Sequence, residues 1–65
     1  MNLDYNELLN KRVKIVCIFG NVKDPIFYDA IVEEYNSSDG VLRLKDKFNK
    51  IVYLDVSTIK QIVVV

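Results

Sequence analysis

Sixty-five residues make one domain and leave no room for a second. A chain this short buries only about 60% of its unfolded surface; Cys17 is the only cysteine and there is no His, so an intrachain disulfide is excluded and a zinc site nearly so, which leaves self-assembly or a compact barrel as the source of stability. Nine basic and nine acidic side chains cancel, which argues against a nucleic-acid binder held by charge alone.

The opening MNLDYNELLN has no basic n-region and no apolar h-region, so no signal peptide is expected. No apolar run approaches the roughly 18–20 residues of a membrane span. With a lone cysteine, these features lead us to expect a cytoplasmic protein with no membrane contact. Tyr5, Leu8, Leu9 and Arg12 follow helical spacing, and Asp4 with Glu7 resembles a capping box. The pattern predicts a short helix over about residues 3–11, ended near Asn10.

The period then changes from helical to alternating. Val13, Ile15, Cys17 and Phe19 alternate with Lys14, Val16 and Ile18, predicting a first strand over 13–19 that is largely apolar on both faces. GNVKDP, residues 20–25, is a turn. A long second strand follows over 26–35, with Phe27, Asp29, Ile31, Glu33 and Tyr35 on one face and Tyr28, Ala30 and Val32 on the other. NSSDG, residues 36–40, is a hairpin signal whose Asp39-Gly40 supplies positive φ. The third strand, 41–45, turns Leu42 and Leu44 inward. DKFNK, 46–50, is a turn, and strands over 50–56 and 60–65 flank the interruption at Ser57-Thr58. One short helix and then five strands on short loops describe a mainly β chain folded as a small, strongly bent antiparallel barrel, one domain over residues 1–65.

Catalysis finds little support. Without His, neither Ser57 nor Cys17 has its usual base, and Cys17 falls among core positions. Glu33 and Glu34 are adjacent on a strand, so they are expected on opposite faces and unable to act on one bond. No three carboxylates stand at metal-ligand spacing, and GNVKD is not a phosphate loop. We expect no enzyme activity, no cofactor, no metal and no small-molecule substrate. Binding is better supported. Residues 1–35 carry a net of two negative charges and residues 36–65 a net of two positive. The positive half holds Arg43, Lys45, Lys47, Phe48 and Lys50, with Tyr35 just before it. Aromatic rings beside cations stack bases and neutralise phosphates, so these six residues are the candidate RNA contacts.

The element order and the segment VYLDVSTIKQI resemble the Sm-like fold, and within it the Hfq-like bacterial RNA chaperones. Val52-Tyr53, Ser57-Thr58-Ile59 and Ile62-Val63 match the second motif of that family in outline; RVKIVCIFG, DAIVEEYN and RLKD resemble its first three strands. The resemblance spans essentially the whole chain through weakly specific apolar positions. It implies RNA binding and a ring in which the fifth strand of one subunit pairs with the fourth of its neighbour. The Hfq-like chaperones place a Lys-His pair after the tyrosine to bind uridine-rich RNA at the pore, whereas here Leu54-Asp55 stands there, and Ala30 replaces a strand glycine. Pore binding of uridine therefore does not carry over.

Eight of the fifteen residues in IVYLDVSTIKQIVVV are Val or Ile, and nothing polar follows Gln61. An edge strand so unguarded invites pairing with another chain. Tyr53, Ile62, Val63, Val64 and Val65 are accordingly the expected subunit interface of a homo-oligomer. The other reading is an SH3-like protein-interaction module that binds no nucleic acid. The chain has no Trp and its aromatics are scattered, so Pro-rich peptides are poor ligands for it.

Overall fold

The computed structural model describes residues 4–65. Five antiparallel strands form one sheet: β1 (Arg12–Cys17), β2 (Ile26–Asn36), β3 (Val41–Asp46), β4 (Ile51–Asp55) and β5 (Ile59–Val64). Their order across the sheet is β4-β3-β2-β1-β5. The two strands at the edges are therefore consecutive in sequence, joined only by the 3-10 turn Val56–Thr58. Opposite edges of a flat five-stranded sheet lie about 19 Å apart. The four Cα steps from Asp55 to Ile59 reach at most about 14 Å. The sheet must therefore curl until its two edges meet at that turn. It stops short of closing: among the described residues β4 and β5 do not pair, so the expected closed barrel is an open, bent sheet.

The expected N-terminal helix is also corrected. Only a single 3-10 turn, Tyr5–Leu8, forms, and Leu3 lies outside the described residues. Asp4 caps the turn by accepting from the Asn6 amide at 2.9 Å. Leu9 then leaves helical geometry and Asn10 takes a left-handed φ of 66°. The Asn10 amide donates to the Val32 carbonyl at 2.7 Å, and the Lys11 carbonyl accepts from the Val32 amide at 3.1 Å. Two long-range bonds thus claim the backbone where a second helical turn would start, and one turn gains too little to compete. Leu8 is buried as its spacing predicts, but Leu9 is exposed.

One face of the sheet carries the core: Val13, Ile15 and Cys17 of β1, Ala30 and Val32 of β2, Leu42 and Leu44 of β3, Leu54 of β4, and Leu8 laid across them. Cys17, Leu42 and Leu44 lie inward as expected, and strict alternation holds along β2 until Val32. There the register with β3 slips, pairing Val32 with Leu44 but Glu34 with Arg43. This bulge inverts the phase of β2, so Tyr35 lies opposite the buried Leu42 and joins the core face, not that of Phe27 and Ile31. A second irregularity leaves Lys60 without a partner in β1, between Gln61↔Val16 and Ile59↔Cys17. The β2–β3 turn closes through the Gly40 amide, which donates to the Asn36 carbonyl at 2.8 Å with Gly40 at a φ of 68°. That conformation is the reason for glycine after Asp39.

Candidate functional site

The outer face of the sheet gathers most of the predicted binding residues. Lys45 lies between Ile31 of β2 and Ile51 of β4. Lys47, Phe48 and Asn49 form the turn to β4, followed by Lys50. Asp46 builds this turn: its Oδ1 accepts from the Phe48 amide at 2.8 Å and the Lys50 amide at 2.9 Å. Asn49 takes a φ of 65°, and its amide donates to the Asp46 carbonyl at 3.0 Å. Phe48 is 70% exposed at the tip, with the Lys47 ammonium 5.4 Å from its ring centroid.

Two predicted RNA contacts have other neighbours. Tyr35 is on the core face, its ring 5.1 Å from that of Tyr5 and tilted by 44°. Burial, and then the neighbouring Tyr35, raise the Tyr5 phenol above its ordinary value, so this pair is packing at the rim of the core. Arg43 is half-buried beside Glu33 at 3.5 Å and Glu34 at 3.9 Å. The expectation that these glutamates face opposite ways is corrected, because the bulge brings both carboxylates to one guanidinium. The Arg43 guanidinium is shared between two carboxylates, and its side chain remains 37% exposed.

The structure adds residues that sequence spacing did not single out. A cleft of about 400 Å³ opens beside the turn, lined by Lys14, Val16, Phe27, Tyr28, Asp29 and Lys47 among others. A smaller one of about 220 Å³ adjoins it, with Arg12, Ile31 and Lys45 in its wall. Phe27 is 71% exposed, though its strand position reads equally well as packing. Only the pairing of β1 with β2 brings Lys14 opposite Asp29 and Val16 opposite Phe27.

Arg12 grips Asp29 with two bonds, Nε to Oδ1 and Nη2 to Oδ2, each 2.9 Å. The bond from Arg12 is the largest influence on Asp29 and holds its carboxyl below the ordinary value of 3.8; the charges of Arg12, Lys14 and Lys47 act the same way. The charged form is the one stabilised. The contribution is complete above 3.8 and is lost as pH falls through the lowered value. Asp29→Asn should therefore lower the thermal midpoint slightly at neutral pH and match the native protein in strong acid. Paired melts at the two pH values check this, and the pair's exposure keeps the effect small.

The predicted interface residues divide by position. Tyr53 on β4 is exposed, as are Val63 and Val64 on β5 and Val65 just beyond it. Ile62 instead packs toward the core opposite Ile15, so it belongs to the chain's own interior. The Leu54-Asp55 pair has a structural use. Leu54 is buried opposite Leu42. Asp55 Oδ1 accepts from the Ser57 amide at 2.9 Å, and its carbonyl accepts from Thr58 Oγ1 at 2.7 Å. The bonds from Ser57 hold the Asp55 carboxyl below its ordinary value.

Burial raises the Cys17 thiol, keeping it protonated within the core. Among the described residues no group of three His, Cys, Asp or Glu side chains could hold a metal, and no helix is long and apolar enough to cross a membrane. Comparison of the chain with protein-family models, with curated proteins and with solved structures finds no match.

Proposed function

We propose that this chain is the subunit of a non-enzymatic, cytoplasmic, Sm-like homo-oligomer that binds RNA. The observation that carries this reading is the pair of unpaired edges, β4 and β5, on one bent sheet. Both edges carry exposed apolar side chains: Ile51 and Tyr53 on one, Val63 and Val64 on the other. Unpaired strand edges present free backbone donors and acceptors, which a second chain satisfies. Joining β4 of one copy to β5 of the next is a heterologous contact, and repetition closes it into a ring when the rotation permits. The order β4-β3-β2-β1-β5 is compatible with the exchange between fourth and fifth strands that the Sm-like resemblance implies.

The RNA part of the proposal rests on the outer-face lysines and Phe48, away from the position where Hfq-like chaperones carry Lys-His. The solution mass at micromolar concentration tests the assembly, and a monomer there refutes it. Filter-binding titrations with uridine-rich and adenine-rich strands test the ligand. Failure of both to bind at low salt, where phosphate contacts are strongest, refutes the RNA part.

A further inference from the structure

We propose that the β3–β4 turn is a stacking platform for single-stranded nucleic acid, in which Phe48 takes an unpaired base and the surrounding lysines take the adjoining phosphates. This rests on the RNA-binding reading above and gives it a substrate class and a place.

Phe48 has no packing role that accounts for it, being 70% exposed. Its turn is nevertheless held firmly. Asp46 Oδ1 ties down the amides on both sides of Asn49, those of Phe48 and Lys50, and the Asn49 amide closes on the Asp46 carbonyl. The ring is thus carried on a constrained backbone with most of its apolar surface in water. It is pre-organised for a flat ligand, which then loses little entropy on binding.

The charge around the ring is cationic. Lys47 and Lys50 belong to the turn, Lys45 precedes it, and Lys14 shares the adjacent cleft with Lys47. Of the carboxylates there, Asp29 is neutralised by Arg12, which leaves Asp46. Four lysines against one carboxylate leave three positive charges around the turn and its cleft.

An aromatic face ringed by cations stacks bases whatever their identity, while the cations follow the phosphates. A duplex does not fit, because its base faces are already covered by one another. An anionic lipid surface shares the charge preference, but interfacial binding calls for a broad apolar face laid in the membrane plane. Here the Phe48 ring stands beside a concave cleft of about 400 Å³ whose walls include Lys14, Lys47 and the exposed Phe27, a shape suited to a sugar–phosphate step.

Fluorescence anisotropy of the full chain with a short labelled single strand of mixed sequence, its duplex, and phosphatidylserine vesicles as competitor tests the proposal. The single strand should bind and the duplex should bind far more weakly. Phe48→Ala should weaken single-strand binding roughly tenfold or more, and Phe48→Trp should retain it. Neutralising three phosphates gives a salt slope of about −2, and Lys47→Gln should flatten it by roughly 0.7. Phe48 is exposed, so circular dichroism should show the variants folded. Native-like binding by Phe48→Ala, equal duplex binding, or displacement of the strand by vesicles each overturns the platform. In the first case the RNA reading survives. A native protein that binds no strand at low salt removes both.

Discussion

On the proposed assembly, Val63→Glu is expected to convert the native oligomer into a folded monomer. Val63 is 48% exposed on β5 and lies opposite Lys14 of β1. A glutamate there gains a cross-strand cation within its own chain, so the isolated fold tolerates the change. A lysine would meet Lys14 as a like charge and confuse assembly with folding. At a β4–β5 junction the same carboxylate would be drawn out of water among Tyr53, Ile51 and their neighbours. Stranding a charge in such a place costs on the order of 3 kcal/mol. That is about a hundredfold in association per contact, repeated at every junction of a closed assembly. Sedimentation velocity reads the mass and circular dichroism the fold. A folded Val63→Glu chain with the native mass would show that the β5 edge is not the junction.

The strands were legible because their side chains alternate, and alternation is a local property. It placed Cys17, Leu42 and Leu44 inward, where the core holds them. What failed to show in the sequence was non-local. The N-terminal segment carries a helical stripe, but the bonds between Val32 and residues 10 and 11 divert its backbone after one turn. Tyr35 and the Glu33-Glu34 pair were assigned to faces by parity, and one bulge reversed that parity. No composition signal announces a bulge in IVEEYN. The basic turn was legible from KDKFNK alone, whereas the cleft beside it requires Lys14, Asp29 and Lys47, residues that only the pairing of β1, β2 and β3 brings together. Closure of the sheet was the other non-local property: a short final connection implies strong bending, but not that the last strand pairs back onto the fourth.

Leu54→Lys, which restores the first half of the Lys-His pair of Hfq-like chaperones, is expected to abolish folding of this chain. Leu54 is 2% exposed and faces Leu42, itself sealed from solvent. Truncation of such a leucine to alanine costs about 2–5 kcal/mol. A lysine adds the burial of an ammonium with no carboxylate partner, several kcal/mol more. A domain of this length has a total stability of about 3–10 kcal/mol. The sum therefore meets or exceeds all the stability there is, whereas Leu54→Ala should leave a folded but weakened protein. Urea titrations followed by circular dichroism separate the three cases. Asp55→His is the companion test. Asp55 is exposed, and its loss removes only the cap on Ser57, so that variant should fold. If these outcomes hold, position 54 is fixed by the core, and a cation cannot be restored there without losing the sheet. The proposed nucleic-acid contacts stand on the opposite face, with Lys14, Lys45, Lys47 and Phe48. A Leu54→Lys chain that folds with a native urea midpoint would mean that the inner face is open at β4, and the pore-side reading would return.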